Sequence, residues 1–231
     1  MIPWKELGRA EVPGEDQPLI LAQRGTEFAI RIGSVALMSS LAHGSEEALA
    51  ELACTHIADR PKARVLIGGL GMGYTLAAAL KHTAPTSSIV VAELLSSVVE
   101  WNHGPLAHLA GAPLTDPRVS VTIGDVVERI GAKADAWDAI LLDVDNGPDA
   151  LTRPSNDRLY QAKGLRVASE ALREGGVLGV WSVAPDEAFA KRLATAGFDV
   201  HEATVRVRRT KGTRHVLWIA TKVTRRRPKA R

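Results

Sequence analysis

Short apolar runs alternate with helix-spaced apolar positions through most of this chain. Five runs stand out between residues 63 and 183: ARVLIG (63–68), SIVVAE (88–93), VSVTIG (119–124), WDAILLD (137–143) and GVLGVWSV (176–183). Four of them are rich in β-branched residues, and all are shorter than a helix usually is. They predict strands covered on both faces of a parallel sheet. Between them, helical spacing spans 73–82, 95–103, 126–131, 156–173 and 186–196. This alternation predicts right-handed βαβ units and a doubly wound, mostly parallel α/β sheet. Ahead of it, residues 18–38 read as three short strands with turns at Gly25-Thr26 and Gly33-Ser34. Ser45 precedes EEALAELACTHIADR and is expected to cap a helix. DVHEATVRVRR and HVLWIATKV, joined through Thr210–Thr213, read as a closing antiparallel hairpin. The expected organisation is an N-terminal β unit (1–44), an α/β domain (45–223) and a basic, disordered tail (224–231).

Composition narrows the class. The 231 residues are 45% hydrophobic and 24% charged, which suits one sizeable core and excludes disordered, collagenous and disulfide-scaffold chains. The single cysteine, Cys54, permits no internal disulfide and fits a reducing compartment. No run approaches the roughly 20 apolar residues of a membrane span, and residues 1–17 hold no signal-peptide core. The chain therefore reads as soluble and cytoplasmic, with no membrane partner. Its net charge of +3 hides an asymmetry. From Arg206 onward there are eleven Lys or Arg and no Asp or Glu. The first 205 residues hold 18 basic and 26 acidic side chains, so the body is acidic and its end basic.

The chemistry is expected at the strand ends. The strand 63–68 runs into Gly68-Gly69-Leu70-Gly71-Met72-Gly73, and a helix follows. In an open α/β sheet, ligands bind beyond the C-terminal strand ends, where glycine lets backbone approach them. The dinucleotide pattern GxGxxG would need glycine at position 74, where Tyr74 stands. Glu93 ends the second strand, where a carboxylate can accept both hydroxyls of a ribose. Gly124-Asp125 follows the third, within reach of an adenine amino group. Asp143 ends the fourth. Each carboxylate alone also suits a loop or a helix N-cap. Four such features in register point to one ligand crevice.

These residues resemble the class I S-adenosylmethionine-dependent methyltransferase fold, and within it the spermidine synthase (polyamine aminopropyltransferase) branch. The resemblance covers about residues 18–223. It includes the glycine loop, Glu93, Gly124-Asp125, the stretch Leu142-Asp143-Val144-Asp145-Asn146-Gly147-Pro148, Tyr160 and the closing hairpin. It implies a Rossmann-like methyltransferase sheet and a homodimer. It also implies an adenosyl donor held by Gly69, Gly71, Gly73, Glu93, Gly124 and Asp125, with Asp143 beside the acceptor amine. The family's loop reads GGGDGG, and its Asp binds the amine of a decarboxylated donor; the matching residue here is Gly71. Its acceptor loop DSSDPxGP is matched by the shorter DVDNGP, in which Asp145 approximates the second Asp. Its Tyr-x-Glu-Met motif is matched by Ser45-Glu46-Glu47-Ala48, in which Glu47 fits and the Tyr is absent.

The Gly71 departure removes a charge that would repel the carboxylate of intact S-adenosylmethionine. The leading expectation is therefore a methyltransferase acting on a small cationic amine-bearing acceptor. The alternative is a spermidine synthase-type aminopropyltransferase using decarboxylated S-adenosylmethionine. A second alternative is an RNA-modifying or RNA-binding protein using the basic end, although no aromatic series for base stacking accompanies it. Asp143 is the expected group that binds and deprotonates the amine, with Asp145 second. Residues 143–157 hold four Asp and one Arg, which favours a cationic acceptor. His43, Glu47, Asp149, Tyr160 and Trp181 are the expected substrate contacts, and Asn102 or His103 can reach the same crevice. No histidine or cysteine has metal-ligand spacing, so no metal is expected.

Overall fold

The computed structural model describes residues 2–14, 16–144, 157–207 and 212–223, excluding the side chain of Asp157. An antiparallel sheet comes first: β1 (Lys5–Ala10), β2 (Leu19–Arg24), β3 (Glu27–Ile32) and β4 (Val35–Ser39), in that spatial order. Three of these strands match the expectation. β1 is the addition: its sequence KELGRA has no apolar run, and a bulge between Glu6 and Gly8 interrupts its pairing with β2. A charged, bulged strand at a sheet edge carries little hydrophobic signal.

The α/β layer follows: α1 (Gly44–Thr55), β5 (Arg64–Gly68), α2 (Tyr74–Lys81), β6 (Ser88–Glu93), α3 (Ser96–His103), β7 (Val119–Ile123), α4 (Val126–Gly131), β8 (Trp137–Leu142), α5 (Asp157–Tyr160), α6 (Ala162–Ala171), β9 (Leu172–Ser182), α7 (Glu187–Thr195), β10 (Phe198–Arg206) and β11 (Arg214–Lys222). The seven-stranded sheet has the order β10-β11-β9-β8-β5-β6-β7. β9, β8, β5, β6 and β7 are mutually parallel, and the β10–β11 hairpin closes the sheet antiparallel against β9. This is the doubly wound, mostly parallel sheet that the alternation predicts.

Strand alternation explains why the central runs are apolar throughout. Val65, Ile67, Ala139, Leu141, Val177, Leu217 and Ile219 face one layer, with α1, α2, α3 and the N-terminal sheet. Leu66, Ile140, Leu142, Leu178, Val180, Trp218 and Ala220 face the other, with α4, α6 and α7. Two local expectations change. The helix expected over 156–173 is two helices, broken at the extended residue Gln161, and Leu172-Arg173 belong to β9. The break folds α6 back so tightly that a side chain at Gly164 would meet the carbonyl of Arg158. Ser45 is not the cap of α1: His43 holds that place, and Ser45 lies inside the helix, fully buried.

No helix among the described residues is long and apolar enough to cross a membrane. Strand order reverses between β5 and β8, so the crevice opens above Gly68 and Asp143. The N–H of Asp143 donates to the Gly68 carbonyl at 3.1 Å, which fixes the two strand ends together.

Candidate active site at the strand ends

The glycine loop is held from two sides. The Leu70 N–H donates to Glu93 Oε2 at 2.8 Å, and the Asn102 side-chain amide donates to the Gly71 carbonyl at 2.8 Å. Gly69 has φ +85, and a Cβ there would lie 2.5 Å from the carbonyl oxygen of Asp143. Gly71 has φ +53, and a Cβ there would lie 2.8 Å from Met38 Sδ. At Gly69 backbone conformation and a backbone collision both require glycine; at Gly71 the left-handed φ favours it, and the crowding atom is the movable end of Met38. Gly73 precedes α2 as its N-terminal boundary.

A cavity of about 970 Å³, counting its open mouth, lies along this loop. Gly69, Gly71, Glu93, Gly124, Asp125 and Asp143 all line it. Glu93 is buried; its second carboxylate oxygen accepts from the Leu95 N–H at 2.9 Å. Asp125 caps α4 through the Val127 N–H at 2.8 Å, and its other oxygen is 3.3 Å from Arg158. It is thus a helix cap and part of the cavity lining at once. The opposite wall is apolar and comes from the N-terminal sheet, notably Leu19, Ile30, Ile32 and Met38.

A second cavity, of about 280 Å³, shares Met38, Gly71 and Asp143 with the first. Ser39, Glu46, Tyr74 and Thr75 complete its polar lining. The Thr75 hydroxyl donates to Asp143 Oδ2 at 2.5 Å, which favours the carboxylate form. Desolvation outweighs that bond and pushes the Asp143 carboxyl above the ordinary range. Glu46 is raised as well, first by burial and then by the negative charge of Asp143. Two carboxylates that resist ionising together form a strong site for a cation.

The remaining expected residues fall in different places. Glu47 is exposed and faces His43 Nδ1 at 3.0 Å, away from both cavities. Its neighbour Glu46 faces the site instead. His43 stacks on Tyr74 with ring centroids 3.9 Å apart, placing it behind the second cavity. Tyr160 packs in the core edge-to-face on Phe189 and lines neither cavity. Trp181, at the end of β9, packs edge-to-face on His215 at 4.5 Å. Asp145 and Asp149 lie outside the described residues, as do Arg208, Arg209, Lys211 and the tail. Glu46, Met38 and Thr75 went unnoticed in the sequence. For Glu46 a signal exists, because residues 46, 49, 50 and 53 share the i, i+3, i+4, i+7 spacing of a buried helix face. Among the described residues, no group of three or more His, Cys, Asp or Glu is placed to hold a metal ion.

Residues 42–189 match the spermine/spermidine synthase domain. The chain is 30% identical over 122 residues to the polyamine aminopropyltransferase of Korarchaeum cryptofilum, covering 52% of this chain and 35% of that protein. It is 31% identical over 127 residues to the polyamine aminopropyltransferase of Pyrobaculum islandicum, covering 54% and 41%. It thus spans well under half the length of these relatives in the matched region. In fold it is similar to the spermidine synthase of Thermotoga maritima, with TM-score 0.75 and 18% identity over 94% of this chain and 73% of that one. A spermidine synthase in complex with the transition-state analogue AdoDATO gives TM-score 0.73 and 17% identity, over 94% and 72%.

These matches overturn the methyltransferase expectation, which rested on the missing charge at Gly71. The physical reason is local. A charge at position 71 is not needed to make this space acidic, because Glu46 and Asp143 line the adjoining cavity. The chain belongs to the spermine/spermidine synthase domain family.

Proposed function

We propose that this chain transfers an aminopropyl group from decarboxylated S-adenosylmethionine to an amine of a polyamine acceptor. The observation that carries the reading is the Glu46–Asp143 carboxylate pair, in a cavity that shares Gly71 and Met38 with the glycine-loop crevice. Donor and acceptor are both cations, so bringing them together needs negative charge at the point of meeting. In the crevice, Gly69, Gly71, Gly73 and Gly124 give backbone access to the donor. Glu93 receives the ribose hydroxyls, and Asp125 stands at the adenine edge.

The sulfonium is already an activated leaving group, so the protein's task is alignment and control of one proton. An alkylammonium has no lone pair for attack. Asp143, oriented by Thr75, binds the acceptor ammonium and takes its proton. The free amine nitrogen then attacks the propyl carbon bonded to sulfur. The carbon–sulfur bond breaks, its electron pair stays on sulfur, and a neutral adenosyl thioether leaves. The nitrogen carries the positive charge away in the product. A carboxyl raised towards neutrality suits this exchange better than an ordinary one.

Release of the adenosyl thioether, followed chromatographically with a panel of diamines and polyamines, tests the reading. Asp143→Asn should lower kcat by about 10²- to 10⁴-fold while calorimetric donor binding persists. Wild-type protein that binds the decarboxylated donor yet releases no thioether with any acceptor would overturn it.

A further inference from the structure

Ser45 and His215 come from opposite ends of the chain and meet beside the carboxylate pair. Ser45 is fully buried in the first turn of α1. Its hydroxyl donates to Glu46 Oε2 at 2.6 Å and lies 3.0 Å from His215 Nδ1. His215 is half-buried at the start of β11, packed edge-to-face on Trp181. The Gly44 N–H donates to the Val207 carbonyl at 2.9 Å and fixes the start of α1 on the hairpin. The three side chains therefore form a short hydrogen-bonded line from the acidic cavity to a partly exposed imidazole.

A hydroxyl between a carboxyl and an imidazole permits two arrangements. In one, His215 Nδ1–H donates to Ser45, and Ser45 donates to ionised Glu46. In the other, protonated Glu46 donates to Ser45, and Ser45 donates to bare Nδ1. The line works in both directions with the same atoms. We infer that Glu46, Ser45 and His215 form a proton path connecting the acidic cavity with solvent on the hairpin side.

Its use in catalysis rests on the aminopropyl-transfer reading. The proton shed by the acceptor ammonium must leave the Glu46–Asp143 pair before the next turnover. Protonated Glu46 passes a proton to Ser45 as Ser45 passes its own to Nδ1. The resulting imidazolium releases its Nε2 proton to water, which leaves Glu46 ionised and His215 neutral. Burial holds the His215 pKa below its ordinary value, so the ring is neutral and ready to accept near neutral pH.

Among the described residues, the groups around this path are few. From α1 come Glu46 and Glu47, the latter held by His43. From β9 comes Trp181, and from β10 the register partner Val205, with Arg206 and Arg214 as the next pair along the hairpin. Asp143 and Tyr74 lie beyond Glu46 in the cavity.

Two measurements test the path. The first needs no ligand: ring-nitrogen NMR of His215 across pH. In wild-type protein the tautomer should follow the titration of Glu46, and in Ser45→Ala and Glu46→Gln that response should vanish. A His215 signal indifferent to both substitutions overturns the inference, whatever the enzyme's activity. The second is turnover. His215→Ala should lower kcat about tenfold or more at unchanged KM, and free imidazole should restore the rate in proportion to its neutral form. Ser45→Ala should show the same loss without rescue. A folded His215→Ala variant with wild-type kcat and pH profile overturns the catalytic role. Coupled NMR titration in a wild-type protein that transfers no aminopropyl group would uphold the path and reject the proposed reaction.

Discussion

Replacing Gly69 with alanine should damage the protein twice, and the two effects can be separated. The first is backbone strain. Alanine at φ +85 costs about 1–2 kcal/mol. The second is a collision. The new Cβ would lie 2.5 Å from the Asp143 carbonyl oxygen, where ordinary contact begins near 3.4 Å, so the end of β8 must retreat by roughly 0.9 Å. Crowding of this kind costs about 1–3 kcal/mol more. The total of about 2–5 kcal/mol corresponds to a fall in Tm of roughly 4–20 °C for a chain of this size. Moving Asp143 by close to 1 Å should also lower kcat/KM by about 10²-fold. Gly197→Ala is the control, because Gly197 has φ +93 and nothing within 4 Å of its virtual Cβ. It should lose only the strain contribution and keep full turnover. Calorimetric melting and initial-rate assays on both variants give the comparison. Equal Tm losses in the two variants, with undiminished turnover in Gly69→Ala, would refute the placement of Asp143 against the loop.

Two further outcomes concern stability. Asp138 is 3% exposed and accepts from Arg60 at 2.6 Å, Arg173 at 2.7 Å and the Arg64 N–H at 2.8 Å. Asp138→Ala should cost about 2–4 kcal/mol in urea unfolding, below the upper range for buried pairs because both arginines remain partly hydrated; a loss under 1 kcal/mol would contradict this. Glu46 and Asp143 hold protons more tightly folded than unfolded, so their contribution to stability is fully present below about pH 4 and is lost as pH rises through their raised values. Urea midpoints measured across that interval should fall with pH, and Glu46→Gln should flatten the slope; an equal slope in both proteins would remove the carboxylate pair from the explanation.

The central strands were readable because strands buried on both faces leave uninterrupted apolar runs. The residues lining the larger cavity were legible because each stands at a strand end, where the crevice of an open α/β sheet lies. What escaped has physical causes. β1 is a charged edge strand whose identity comes from pairing with β2, and pairing leaves no periodic trace. The break at Gln161 comes from a sharp local reversal that packs Gly164 against the Arg158 carbonyl, and the apolar spacing leaves no trace of it. Glu47 matches the family's Tyr-x-Glu-Met motif by residue type, while burial, set by the helix face, brings Glu46 to the cavity. Charge at position 71 alone does not report the cavity's charge, which is supplied by Glu46 of α1 and by Asp143 just after β8.

The apolar wall that β2, β3 and β4 lend to the crevice has a consequence for how such a site can diversify. The family match starts at residue 42, so that wall is written in a stretch of chain separate from the glycine loop and its carboxylates. Exchanging Leu19, Ile30 or Ile32 for larger or smaller side chains would reshape the chamber without touching the glycine-loop backbone. The glycine loop and the chamber's shape can therefore drift at independent rates. In this fold, a change of clientele is a matter of redecorating one face of a small sheet.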